Sequence, residues 1–157
     1  MIAAVDTNIL LDILIPDEVH CTISKALLDE HIINGQLIIC EIVFAELSSQ
    51  FVSEKELLSF LSETGIRLVY SDKDTLYLAG EKWKEYTKNR KQILQCPECG
   101  KEFSVKCPNC KKLITLRQRV LNDFIIGAHA LKKAGVLLSR DRGFYRKYFR
   151  ALQIIAG

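Results

Sequence analysis

The sequence predicts an α/β fold with a mainly parallel central sheet covered by helices on both faces, interrupted once by a small cysteine-bearing insertion. Three observations carry this. Short apolar runs that suit buried strands alternate with longer segments of helical apolar spacing along most of the chain. At 157 residues and 48% hydrophobic, the chain can bury one sizeable core but not two full ones. From Gln95 to Lys112 every period is lost and two cysteine pairs appear instead. The expected organisation is one domain over residues 1–157 with an inserted module at 94–113.

The elements follow in order. Ile2 to Val5 is a short apolar run closed by Asp6, and Asn8 to Ile15 has helical spacing up to the stop at Pro16. Ser24 to Ile33 reads as a helix ended by Asn34-Gly35, and Leu37 to Cys40 as a second buried strand. Helices are expected at Glu41 to Phe51 and Glu54 to Leu61, with a third strand at Ile66 to Val69 between them and the next helix. That helix, Asp72 to Gln92, is long and amphipathic and carries Asp72 and Asp74 in the turn where the helix dipole favours them. After the insertion, helical spacing resumes from Leu116 to Lys133; Val136 to Leu138 is a strand, Phe144 to Phe149 a short helix and Leu152 to Ile155 a last strand. Alternation of this kind implies right-handed crossovers.

A formal net charge of +3 is too small to announce a polyanion-binding protein, but the charge is unevenly spread. Lys88 to Arg119 holds nine basic residues against Glu98 and Glu102, a local balance of +7, so the rest of the chain is near −4. The opening Met1-Ile2-Ala3-Ala4-Val5-Asp6 has neither a basic flank nor a long apolar stretch, so no secretion signal is expected. No apolar run approaches the roughly 20 residues of a membrane span. A cytoplasmic location follows, with cysteines as thiols or metal ligands rather than disulfides.

Cys96-Pro97-Glu98-Cys99 and Cys107-Pro108-Asn109-Cys110 are two copies of one turn, separated by seven residues. Two such turns supply the tetrahedral four-thiolate set that zinc prefers, so Cys96, Cys99, Cys107 and Cys110 are expected to hold structural Zn2+ in a minimal ribbon. Paired disulfides are disfavoured by compartment, and a redox pair by the repetition. Iron in the same thiolate set is the competing ion. Zinc would fold a loop lacking its own core; the surrounding basic residues would equally suit a phosphate backbone. Cys21 and Cys40 lie in apolar segments and read as core residues.

Charged groups at the ends of buried strands need a reason, because desolvating an unpaired carboxylate is costly. Asp6 closes the first strand at the carboxyl end, where open α/β sheets place their sites, although capping the next helix would also account for it. Asp141, after the strand Val136 to Leu138, falls at a second such edge. Glu46 and Asp123 are embedded in apolar helical segments. Four clustered acids require countercharge, and hard oxygen donors point to Mg2+ or Mn2+. Such a centre suits metal-assisted phosphodiester hydrolysis.

Asp6-Thr7-Asn8-Ile9-Leu10-Leu11-Asp12, the Glu46 segment, Asn122-Asp123-Phe124-Ile125-Ile126-Gly127-Ala128 and Ser139-Arg140-Asp141-Arg142-Gly143-Phe144 together resemble the PIN-domain (PilT N-terminus) nucleases, in particular the VapC-type toxins of prokaryotic toxin-antitoxin pairs. The resemblance spans nearly everything except the cysteine insertion. It implies a three-layer α/β/α fold, a magnesium- or manganese-dependent endoribonuclease with RNA as substrate, a homodimer and inhibition by a cognate antitoxin. It makes Asp6, Glu46, Asp123 and Asp141 the catalytic metal-binding acids, with Asn8 and Ser139 as supporting polar groups. Gly143 stands where the family often carries a further acid. The cysteine module departs from the common toxin pattern and resembles the zinc ribbons of ribosome-maturation PIN endonucleases, so RNA processing is the alternative enzyme reading. A non-catalytic RNA- or protein-binding PIN module and a DNA-directed nuclease are the others.

Other polar residues are expected to be structural. Asp12 could help the site, with a helix-surface or salt-bridge role an equal reading; Glu41 reads as a carboxylate at a helix start, and His20, His31 and His129 as structural or surface groups. Arg140, Arg142, Arg146 and Lys147 beside Asp141 could grip substrate phosphates, with a solvated cationic face the default, and Tyr77, Trp83 and Tyr86 read as packing.

Overall fold

A computed structural model describes residues 1–15, 18–89, 94–95, 102–114 and 120–156. Cys96 and Cys99, the helix stop at Pro16, the end of the long helix at Gln92 and the expected helix start at Leu116 lie outside the described residues.

Five strands, β1 (Ile2–Val5), β2 (Gln36–Ile39), β3 (Ile66–Leu68), β8 (Val136–Leu138) and β9 (Gln153–Ile155), form one wholly parallel sheet in the order β3-β2-β1-β8-β9. The three central strands are buried almost without a break: Ala3 to Val5, Leu37 to Ile39 and Val136 to Leu138. That pattern, apolar on both faces rather than alternating, is what a parallel strand covered on both sides requires. The edge strand β3 relaxes it, with Arg67 exposed between Ile66 and Leu68.

The helices are α1 (Thr7–Leu14) and α2 (Cys21–Ile33) between β1 and β2, α3 (Glu41–Ser48) and α4 (Glu54–Glu63) between β2 and β3, α5 (Lys73–Asn89) and α6 (Leu121–Lys133) before β8, and α7 (Arg142–Tyr148) before β9. Given right-handed crossovers, the strand order places α1 to α4 and α5 to α7 on opposite faces. Successive strands are added outward in one direction from β1 to β3 and in the other from β8 to β9, so this sheet has its switch point between β1 and β8. The β4 (Leu94–Gln95) with β5 (Glu102–Phe103) and β6 (Val105–Lys106) with β7 (Leu113–Ile114) pairs are two small antiparallel ladders within the expected insertion. Among the described residues no helix is long and apolar enough to cross a membrane.

Local chemistry explains the boundaries. Helix α3 stops at Ser48, short of the expected Phe51; the Ser48 and Ser49 hydroxyls donate back to the carbonyls of Ala45 and Glu46, both at 2.7 Å. Helix α7 starts two residues earlier than expected because Asp141 caps it. Gly35 is required where α2 turns into β2: a Cβ there would stand 1.8 Å from the Met1 carbonyl oxygen, which accepts the Gln36 N–H at 2.9 Å.

An aromatic cluster locks the second face. Phe124 of α6 packs edge-on to Phe144 of α7 at 4.9 Å between ring centroids and lies 5.5 Å from both Trp83 and Tyr86 of α5. Trp83 and Tyr86 thus pack as expected, whereas Tyr77 is 70% exposed. Cys40 is core, but Cys21 is only half-buried.

Candidate active site

Asp6 is the first residue after β1, and its N–H donates to the Leu138 carbonyl at 3.0 Å, extending the β1–β8 ladder by one rung. Ser139 does the same after β8, donating to Ile155 at 3.0 Å. The two side chains therefore emerge side by side at the switch point. Asp6 Oδ1 accepts the Thr7 N–H at 2.8 Å and so caps α1. Its Oδ2 accepts the Ser139 hydroxyl at 2.6 Å, the Asn8 side-chain amide at 2.8 Å and the Tyr145 hydroxyl at 3.4 Å. Capping and membership of a polar cluster are thus both true of Asp6. Asn8 Nδ2 also reaches Ser139 Oγ at 3.3 Å, and Ser139 Oγ accepts the Asp141 N–H at 3.0 Å.

The other three acids arrive from three helices. Glu46, half-buried on α3, accepts the Thr7 hydroxyl on Oε2 and the Asn122 amide on Oε1, the latter at 3.3 Å. Asp123 lies in the first turn of α6 and accepts the Val120 N–H at 3.2 Å. Asp141 accepts the Phe144 N–H at 3.3 Å as the cap of α7. Asp6, Asp123 and Asp141 thus each sit at a helix start, where the positive end of the dipole offsets part of their mutual repulsion.

Electrostatics tie the four together. Burial pushes the Asp6 carboxyl up from 3.8 to about 6; the negative charges of Asp123 and Glu46 push the same way, while hydrogen bonds from Ser139 and Thr7 oppose them. Burial, followed by the charges of Asp6, Asp123 and Asp141, holds the Tyr145 phenol well above its ordinary value, so its hydroxyl stays a proton donor toward Asp6. All six expected residues, the four acids with Asn8 and Ser139, therefore share one end of the sheet. Clustered hard oxygen donors that repel one another suit a small divalent cation. As they stand, among the described residues no three His, Cys, Asp or Glu side chains are grouped to hold a metal ion. The oxygens of Asp6 and Glu46 face neighbouring donors instead.

Sequence reasoning missed Tyr145 as a site residue, although its position four residues after Asp141 placed both on one helical face. Thr7 and Asn122 as partners of Glu46 were also missed. Asp12 is buried rather than on a helix surface and pairs with Arg140, whose side chain is therefore not simply solvated. Glu41 opens α3, and its Oε2 accepts the Ser71 N–H at 3.0 Å. His129 is buried, with its ring on the Val69 carbonyl at 2.8 Å, and burial pushes its pKa down. His31 bonds the Leu27 carbonyl at 2.8 Å.

In the insertion, the Cys107 N–H donates to Lys112 at 2.8 Å and Lys111 N–H to Cys107 at 2.9 Å, closing a tight turn with Lys111 at a φ of 60°. Backbone N–H groups of Cys110 and Asn109 point at the Cys107 sulfur and pull its pKa down.

No curated protein sequence matches. Three similar solved structures are VapBC-1 from nontypeable Haemophilus influenzae (18% identity, TM-score 0.64, 99% of this chain and 98% of that one), VapBC2 from Rickettsia felis bound to a DNA fragment from their promoter (19%, 0.62, 99% and 98%) and FitAcB from Neisseria gonorrhoeae (18%, 0.59, 99% and 96%). At that identity they speak for the fold. The PIN domain model matches residues 3–150, nearly the whole sequence, and the chain belongs to the PIN domain family.

Proposed function

We propose that this protein is a divalent-metal-dependent endoribonuclease and the toxin of a type II toxin-antitoxin pair. The observation that carries the reading is the buried Asp6, raised to about 6 beside Asp123 and Glu46 at the switch point of the sheet. A carboxyl so perturbed, in a polar cluster built from four separate elements, is a mark of a functional site. Asp6, Glu46, Asp123 and Asp141 would hold Mg2+ or Mn2+, which when bound supplies an activated water and offsets charge on the scissile phosphate. Asn8 and Ser139 orient Asp6, Thr7 and Asn122 orient Glu46, and Tyr145 keeps a proton directed at Asp6.

The similar folds were solved as VapBC and FitAB assemblies, which supports a small antitoxin as the partner; a homodimer and a cytoplasmic location belong to the same reading. Residues 94–113 are an inserted module whose four cysteines, Cys96, Cys99, Cys107 and Cys110, bind structural Zn2+. The depressed Cys107 thiol favours this, because a thiolate is the ligand. That module also favours a second reading, a PIN endonuclease of RNA maturation.

The test is cleavage of a pool of structured RNAs and matched DNAs by purified, antitoxin-free protein with Mg2+ or Mn2+, with EDTA and as Asp6→Asn, mapping product ends. Metal-dependent RNA cuts absent from the variant are expected. A single precursor-like cut site would select maturation; DNA cleavage alone would replace RNA as substrate. No cleavage by folded, metal-supplied protein would reject catalysis in favour of a binding module.

A further inference from the structure

We infer that Asp12 is a positioning residue for this site, acting through Arg140; the inference rests on the nuclease reading. Asp12 lies on α1 and its side chain is only 3% exposed, so the charge has been withdrawn from water and must be answered by specific partners. It has two. The Ser24 hydroxyl of α2 donates to Oδ2 at 2.6 Å, and the Arg140 Nη2 meets Oδ1 at 2.9 Å.

Arg140 stands between Ser139 and Asp141, the two residues that the turn from β8 to α7 contributes to the cluster. Its backbone N–H donates to Asn8 Oδ1 at 3.2 Å, and the same Asn8 amide donates to Asp6 Oδ2 at 2.8 Å. The 139–141 turn is therefore held to α1 by the Asn8 side chain, on the Arg140 N–H and the Ser139 hydroxyl, and by Asp12 on the guanidinium. A path runs Ser24–Asp12–Arg140, then through Asn8 to Asp6 and Ser139. Asp6 and Asp141, already joined through Ser139, are braced against α1 and α2 by that path.

Stability alone does not call for such a pair, since buried ion pairs are often replaceable by apolar residues without loss. Geometry does, because a misplacement of about 1 Å at reacting groups costs on the order of 100-fold in rate. The competing role for Arg140 is a direct grip on substrate phosphate. The two roles separate kinetically: loosened placement lowers kcat at unchanged KM, whereas a lost phosphate contact raises KM and reduces the salt slope of binding by about one.

The experiment compares Asp12→Asn, Arg140→Gln, Arg140→Lys and the Asp12→Asn/Arg140→Gln double variant, measuring kcat, KM and amide hydrogen exchange of Arg140 and Asp141. Each single loss is expected to lower kcat about 10- to 100-fold with KM within about twofold. The double variant should be no worse than either single one, and Arg140→Lys should recover part of the loss. Exchange at the Arg140 and Asp141 amides should rise at least about tenfold while β1 and β8 amides keep their protection. Additive losses, a KM rise confined to the Arg140 variants, or unchanged exchange would each overturn the proposal. Should Asp12→Asn not fold, the exposed Arg140 variants decide on kcat, KM and exchange: a kcat loss at unchanged KM with raised exchange upholds the proposal, and a KM rise or unchanged exchange overturns it. Absence of wild-type cleavage would reject the nuclease reading, and amide exchange would still decide whether Asp12 holds the turn.

Discussion

Replacing Asp6 by Asn should make the protein more stable at neutral pH while removing its activity. The folded-state carboxyl sits at about 6, against 3.8 for the free group. Between these values the folded chain binds more protons than the unfolded one, so stability falls as pH rises through the window and stays lower above it. At 1.36 kcal/mol per pKa unit, ionised Asp6 costs about 3 kcal/mol at neutral pH. Asparagine escapes that cost but gives up an acceptor: the Asn8 amide, now donating to Asp6 Oδ2 at 2.8 Å, would face another N–H group. That loss takes back about 1 kcal/mol, leaving a net gain of about 2 kcal/mol. For a chain of this size the gain reads as a Tm higher by about 4–8 °C. The assay is urea and thermal unfolding of both proteins with EDTA at about pH 7.5 and about pH 4.5, where linkage predicts the advantage to shrink to about 1 kcal/mol or less. A variant no more stable than wild type at the higher pH, or an advantage that does not shrink on acidification, would refute the burial argument.

Metal should act in the opposite sense: at 100 times its Kd, Mn2+ would stabilise wild type by about 2.7 kcal/mol and Asp6→Asn by much less, as read from Tm against metal concentration. Gly127→Ala would place a methyl 2.4 Å from the Phe149 ring, so repacking should cost about 1–3 kcal/mol in urea titrations without altering metal affinity. Replacing Cys107 and Cys110 by Ser should lower bound zinc from about one ion per chain to none by elemental analysis, with the far-ultraviolet signal of the main sheet preserved.

Much of the fold was legible because central strands announce themselves. Val136-Leu137-Leu138 and Ile2 to Val5 appear where their apolar runs predict, and Asp6 interrupts the first at the residue where the site begins. Glu46 and Asp123 stood out as charges in apolar helical segments, and Asp6 and Asp141 as charges just past the ends of buried strands. Helix ends were less legible, since the serine back-bonds that stop α3 and the Asp141 cap that starts α7 are choices of side-chain geometry rather than of period. Tyr145 escaped notice because its role lies in a contact with a residue 139 positions away. Asp12 stayed open between a site, surface and salt-bridge role because its partners, Ser24 and Arg140, come from other elements. Tyr77 shared a helical stripe with Trp83 and Tyr86 but lies beyond the face that α6 covers.

The interleaving of β1 and β8 also governs when the site can exist. Asp6 and its hydroxyl partner Ser139 are 133 residues apart in the chain, and Glu46 is 76 residues from Asn122. During synthesis, a ribosome holding the first two acids has yet to make the last two, and β1 waits at the middle of a sheet with one neighbour missing. A chain cut short before β8 therefore holds Asp6 and Glu46 without the serine, amide and acids that complete the cluster around them.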